Sequence, residues 1–283
     1  MELIELQYEQ IINLALKEDL SWGDITTELL IDPEQSGTTH IKAKAKGVLA
    51  GTVIARQVFL KVDPELKVQI YLNDGQKLSP GDEIAEIAGR IAGILKAERV
   101  ALNFLQHLSG VATQTAQFVE AVKGLPVKIA DTRKTIPGLR LLEKQAVLSG
   151  GGTNHRRHLG DIVLIKNNHI APLRKQGLSI KDMVTKAKKQ NSFITRPVEI
   201  EVRTAQEALE AVEAKADIIM LDNMSVEDMR KTVTLIKGKV MIEASGDMNL
   251  VNVRKVAETG VDIISVGALT HSAKALDISL SLE

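Results

Sequence analysis

Six short apolar runs in the second half of the chain end in, or carry, residues that could do chemistry. VKIADTRKT (127–135) ends in Asp131, Thr132, Arg133 and Lys134, and DIVLIKNNH (161–169) in Lys166, Asn167, Asn168 and His169. VEIEVRT (198–204) carries Glu199, Glu201 and Arg203, and DIIMLDN (217–223) ends in Asp222 and Asn223. VMIEASGD (240–247) carries Glu243, Ser245 and Gly246, and DIISVGA (262–268) carries Ser265 and Gly267. A charge inside an apolar run is costly to bury unless it is paired or used, so charges on successive runs read as a polar site. Arg133, Lys134, Arg156, Arg157 and Lys166 are cations suited to carboxylates and phosphates, which arginine grips through two parallel N–H groups. Glu201 and Asp222 offer oxygens to a hard cation such as Mg²⁺ or to ribose hydroxyls. Ser245-Gly246 and Gly267 follow the last two runs, where barrels often hold a phosphate on backbone N–H groups. These types point to a polyanion with Mg²⁺.

The charge distribution agrees. The chain has 283 residues with 36 basic and 36 acidic side chains, hence no net charge. The neutrality is uneven: residues 128–189 hold 14 basic and 4 acidic groups, a balance of +10, and each flank carries −5. Overall neutrality and an aromatic content of 2% argue against a general nucleic-acid binder. With no cysteine there is no disulfide, thiolate metal site or cysteine nucleophile. No stretch approaches the roughly 18 apolar residues of a membrane span, and the N-terminus lacks a signal-peptide pattern. A cytoplasmic protein is expected.

The elements that must position these residues are legible as patterns. Residues 5–17 have partly helical spacing, and 18–30 is rich in turn residues. Residues 38–49 alternate as a strand, and 66–88 read as strand, turn, strand around Asn73-Asp74-Gly75 and Pro80-Gly81-Asp82. Residues 94–123 predict one long helix, or two broken near Gly110. The six apolar runs, the last four about 20 residues apart, alternate with helical patterns as a βα repeat. No GxGxxG or Walker A sequence follows any of them. The fold class is therefore α/β: an N-terminal α+β open sandwich, residues 1–110, completed by 270–283, and an incomplete (β/α) barrel, residues 111–269.

Between the first two runs lies GGGTNHRRHLGD (150–161), with three glycines that allow close approach to a ligand. His155, His158 and His169 invite a zinc reading, but the surrounding cations would repel a metal dication. His155 reads instead as a hydrogen-bond donor to an anion, and His40, His107 and His271 as structural. No GxSxG elbow is present, and Ser149 and Ser245 have no evident base.

These residues resemble the quinolinate phosphoribosyltransferase family, also called nicotinate-nucleotide pyrophosphorylase (carboxylating). The resemblance rests on EDLSWGDITT (18–27), ERVALNFLQHLSGVAT (98–113), DTRKTIPGLR (131–140), GGGTNHR (150–156), LIKNNH (164–169), EIEVR (199–203), LDNM (221–224), EASG (243–246) and ISVGALTHSAKALDISL (264–280), in order over nearly the whole chain. It implies transfer of the phosphoribosyl group of 5-phosphoribosyl 1-pyrophosphate to quinolinate with Mg²⁺, giving nicotinate mononucleotide, pyrophosphate and CO₂ for NAD biosynthesis. It implies that Arg133, His155, Arg156 and Lys166 bind the quinolinate carboxylates, that Thr132 also binds substrate, and that Lys134 faces substrate anions, the pyrophosphate among them. Glu201 and Asp222 would hold ribose hydroxyls or Mg²⁺, and Ser245, Gly246 and Gly267 the 5-phosphate. Lys134, Lys166, Glu201 and Asp222 make up the catalytic set. A homodimer, or an assembly of dimers, is implied, with Arg99 reaching the neighbouring subunit's site. Three positions depart from the family pattern: His158 with Arg157, Gln145, and Asp247, whose carboxylate would oppose a phosphate unless turned away. A paralogous group associated with molybdenum transport shares the TRKT and HR motifs, but LIKNNH and EIEVR favour the quinolinate enzyme. A lipoyl- or biotinyl-type carrier would need an exposed lysine in a tight turn, which residues 47–88 lack.

Overall fold

The computed structural model describes residues 2–191 and 195–282; residues 1, 192–194 and 283, which include both outer ends of the expected first domain, lie outside the described residues. The chain forms two compact units, one of Met1–Ala116, Ile136–Gly151 and Ser272–Glu283, the other of Gln117–Thr135 and Gly152–His271. The division expected from the sequence ran 1–110 with 270–283, then 111–269. In the structure the segment Ile136–Gly151 groups instead with the first unit. The cause is close contact with the long helix Ile91–Ala121: a Cβ on Gly150 would lie 2.4 Å from the Ala112 carbonyl oxygen. Glu143, on the helix Arg140–Ser149, also meets His107 Nε2 at 2.9 Å and accepts a hydrogen bond from the Ile136 N–H.

The first unit is built on β1 (Ser36–Ala43), β2 (Gly47–Val48), β3 (Lys67–Ile70), β4 (Lys77–Leu78) and β5 (Glu83–Arg90). The chain's last strand, β12 (Ile278–Leu282), joins them in an antiparallel sheet ordered β12-β1-β5-β3. Ile41 on β1 faces Ala85 on β5, both buried, as alternation along half-buried strands requires. The long helix is a single helix through Gly110, not two. Glycine is required there because a Cβ would stand 2.3 Å from the Lys274 carbonyl oxygen. Residues 18–30, read as turn, contain the helix Ile25–Leu30, capped by the Asp24 carboxylate accepting from the Thr27 N–H. No helix of the described residues is long and apolar enough to cross a membrane.

The second unit carries β6 (Lys128–Ala130), β7 (Val163–Ile165), β8 (Val198–Val202), β9 (Ile218–Asp222), β10 (Met241–Ser245) and β11 (Ile263–Ser265). Each falls within one of the six apolar runs. All pairings are parallel, in the order β6-β11-β10-β9-β8-β7. The first of these strands pairs with the last, as in a (β/α) barrel, and among the described residues a gap separates β6 from β7. A single parallel bridge, Ala130 to Thr153, partly fills that gap. β8 is buried at all five positions, the signature of a strand covered on both faces.

Candidate functional site

The register explains which side chains share the inner face. Leu164 is level with Glu199, and Glu199 with Ile218. Glu201 and Glu243 are both level with Met220, and Ser245 is level with Asp222. Residues two apart on a strand point the same way, so Leu164 and Glu199, then Glu201, Met220 and Glu243, then Asp222 and Ser245 form three rows of one surface. Above it opens a cavity of about 560 Å³ at the C-terminal strand ends, within the usual range for small-molecule sites. Its walls include Thr132, Arg133, Lys134, His155, Arg156, Lys166, Glu201, Asp222, Ser245, Gly246 and Gly267, so every expected site residue except Arg99 lines one pocket. Arg99 lies in the first unit, exposed beside Glu98.

One wall is cationic. The Arg133 Nε is buried without a hydrogen-bond partner among the described residues. Arg156 is only 8% exposed, and burial and then the neighbouring Arg133 pull its pKa below the ordinary arginine value. The two neighbouring guanidinium groups repel one another, and an anion is the species that relieves both. Lys134 is steered from its backbone: its N–H donates to Thr132 Oγ1 (2.9 Å) and its carbonyl accepts from the Thr270 hydroxyl (2.7 Å). Gly267 leaves room for the Lys134 side chain, whose Cδ would be 2.9 Å from an added Cβ.

The opposite wall offers oxygens. Glu201 Oε2 accepts from the Asn167 backbone N–H at 2.7 Å, and Asp222 Oδ2 from the Asn167 side-chain amide at 2.9 Å. Asn167, at the first position of the helix Asn167–Lys175, thus fixes both carboxylates. Lys166 Nζ lies 3.8 Å from Glu201, and Arg203 3.5 Å from Asp222. Gly246 has φ +99°, and a Cβ there would strike Asn223 Oδ1 at 2.1 Å, so the turn after β10 excludes a side chain. Asp247 also has a positive φ, 42°, and its carbonyl accepts from the amides of Asn249 and Asn252. It is exposed at the pocket wall.

His155 is placed differently from the anion donor the sequence suggests. Its Nε2 lies 3.2 Å from a carboxylate oxygen of each of Glu199 and Glu243, and its Nδ1 accepts from the Arg156 N–H at 2.8 Å. The ring thus turns its nitrogens toward the floor and the neighbouring backbone. Burial, the largest influence, lowers the His155 pKa, but the two glutamates outweigh it and hold it at about 10. Burial raises the Glu199 pKa, and Glu243 adds to the rise while His155 opposes it. An imidazolium would need a proton on Nδ1, where the Arg156 N–H already points, so we place the retained proton on the carboxylate side of the cluster. The other two histidines of the zinc reading are also turned elsewhere: His158 pairs with Asp161 at 2.8 Å, and His169 Nδ1 accepts from the Lys166 N–H. Arg157 and His158 are exposed and absent from the pocket wall, their N–H groups both donating to Asp161. Gln145 lies in the first unit, and the glycine run serves packing at Gly150. Leu164, Met220, Met248 and His271 line the pocket without having been singled out as site residues. His271, read as structural, sits beside Gly267.

Fold and pocket define a class: an interrupted parallel α/β barrel with a small-anion pocket at its strand ends. Comparison with known proteins narrows it. The model of the quinolinate phosphoribosyl transferase C-terminal domain matches residues 111–281, and that of the N-terminal domain residues 24–109. The chain belongs to the quinolinate phosphoribosyltransferase family. It is 42% identical to the Nicotiana glauca quinolinate phosphoribosyltransferase [decarboxylating] 2, mitochondrial, over 97% of this chain and 82% of that protein. It is 40% identical to the probable nicotinate-nucleotide pyrophosphorylase [carboxylating] of Bacillus subtilis, over 98% and 94%. The solved nicotinate-nucleotide pyrophosphorylase from Francisella tularensis superposes with a TM-score of 0.91 at 41% identity, covering 98% of this chain and 96% of that one.

Proposed function

We propose that this chain transfers the phosphoribosyl group of 5-phosphoribosyl 1-pyrophosphate to quinolinate, releasing pyrophosphate and CO₂ and forming nicotinate mononucleotide for NAD synthesis. The observation that carries it is the neighbouring pair of arginines, Arg133 with its Nε buried and unpartnered among the described residues and Arg156 buried, at the wall of a pocket sized for a small molecule. A planar dicarboxylate answers their charge, with Thr132 and Lys166 beside them. Lys134 serves the pyrophosphate, and Ser245, Gly246 and Gly267 the 5-phosphate. Met220, Met248 and Leu164 supply the apolar surface that a pyridine ring needs.

The ring nitrogen's lone pair attacks C1 of the ribose as the C1–O bond to pyrophosphate breaks. Positive charge develops at C1, and Glu201 and Asp222, both on the pocket wall, are the carboxylates assigned to balance it. The quaternised ring then accepts the electron pair left at C2 when the C2–carboxylate bond breaks, and C2 takes a proton from water. No covalent nucleophile is needed, and catalysis is positioning and electrostatics. Glu201 and Asp222, hard oxygens aimed into the pocket and fixed by Asn167, fit Mg²⁺. The ion would screen the charge of the leaving pyrophosphate.

A homodimer in the cytoplasm completes this reading, with Arg99 entering the partner's pocket. Arg99 is exposed on one chain, and Trp22, 91% exposed, stands near Ile25, Leu29 and Leu30 in an uncovered apolar group on the same unit. Purified protein with quinolinate, 5-phosphoribosyl 1-pyrophosphate and Mg²⁺ is expected to yield nicotinate mononucleotide and pyrophosphate in equal amounts. Arg133→Ala should lower kcat/KM for quinolinate by about 100-fold or more, the cost of leaving buried charge unanswered. Unchanged turnover in that variant would sink the assignment.

A further inference from the structure

Glu199 and Glu243 have no role in the reading above. Both are completely buried, and none of their four carboxylate oxygens has an aligned hydrogen bond. Burying two carboxylates so close together is expensive and calls for a function. Their common neighbour is His155 Nε2, 3.2 Å from each. The other end of that ring receives the Arg156 N–H, and the His155 N–H in turn donates to Oδ1 of the buried Asp131 at 2.9 Å. Arg156 is otherwise lightly held: its guanidinium makes one long contact, 3.4 Å, to the Ile162 carbonyl oxygen.

We propose that Glu199 and Glu243 are positioning residues for the dicarboxylate: they hold the His155 imidazole as a strut whose Nδ1 sets the backbone, and so the aim, of Arg156. The proposal rests on the function proposed above. Glu199 also places negative charge near Arg156, which opposes the effect of burial and of Arg133 on that guanidinium before an anion arrives. The charged groups nearest the cluster are Arg156, which acts on Glu199, and Asp131 just past the end of β6, which accepts the His155 backbone N–H. The strut serves one substrate and not the other, because the 5-phosphate and pyrophosphate positions lie on different side chains.

Two measurements test it. In Glu199→Gln and Glu243→Gln, which keep side-chain volume, the quinolinate KM is expected to rise about tenfold, with kcat and the KM for the phosphoribosyl donor within about threefold. Equal rises in both KM values, or none for quinolinate, would overturn the strut. Nitrogen NMR of histidine-labelled wild-type protein, with His155→Asn to assign the signal, should show His155 protonated at Nε2 and an unprotonated, hydrogen-bonded Nδ1. A protonated Nδ1 would overturn it too. The NMR arm needs neither substrate nor a stable glutamine variant, so it decides the strut even if the wild type leaves quinolinate untouched, a result that would instead remove the proposed function.

Discussion

Glu199 and Glu201 are two residues apart on one strand and point the same way, yet their surroundings differ. Glu201, like Asp222, is held by Asn167, whose N–H it meets at 2.7 Å; Lys166 is near it, and it faces the pocket. Glu199, like Glu243, is fully buried and has the His155 ring as its neighbour. Hydrogen bonds from Asn167 keep the first pair in place for a ligand. In the second pair, burial pushes the Glu199 pKa up, and the cluster with His155 retains a proton. One alternation along β8 separates a carboxylate held by Asn167 from one that packs on the His155 ring.

Substitutions can break or sharpen that contrast. The largest effect belongs to the pair held by Asn167: Asp222→Asn should lower kcat about 100-fold and raise the Mg²⁺ concentration needed for half-maximal rate, both read in steady-state assays. If instead the quinolinate KM alone rose, the two pairs would not be functionally distinct. Asn167→Ala removes one amide donor to Asp222 and leaves the backbone donor to Glu201 in place. It is expected to cost about tenfold in kcat, the scale of one hydrogen bond to a charged group. The smallest effect is on stability and belongs to the pair around His155. The cluster of His155, Glu199 and Glu243 retains a proton up to about pH 10, against 6.5 for a free imidazole. A raised folded-state pKa stabilises fully below 6.5, and that stability is lost as pH rises through 10. Urea midpoints measured from pH 6.5 to 10 should therefore fall more for the wild type than for Glu199→Gln, whose amide mimics the protonated carboxylate; parallel curves would contradict the coupling.

Much of this was legible in the residues. The six strands appear as continuous apolar runs because both faces are covered, and the pocket residues appear at their ends because a (β/α) sheet presents those ends to ligand. Glu199 and Glu201 were seen to share a face, but which lies deeper depends on register against β7 and β9, which a single sequence does not encode. His155 was recognised by type, and its direction was misread because that direction is set by glutamates 44 and 88 residues later in the chain. The Asn167 clamp was missed for the same reason. The helix Thr52–Val62 went unassigned because its cap, Asp74, lies beyond it in sequence and looks like an ordinary turn residue. Gly110 resembled a helix break because the backbone that requires it arrives only at residue 274.

That late arrival bears on synthesis. β12 pairs with β1, Thr39 opposite Leu282 and Ala43 opposite Ile278, so the sheet of the first unit is closed by a strand that follows every strand of the second in sequence. Until residues 278–282 have been made, β1 remains an open edge able to pair with another chain, and the long-range closure that ends this exposure is slow. The strands of the second unit are all made in that interval. The sheet begun first is thus closed after the other is complete, and its edge stays open to misassociation through the whole synthesis of the second unit.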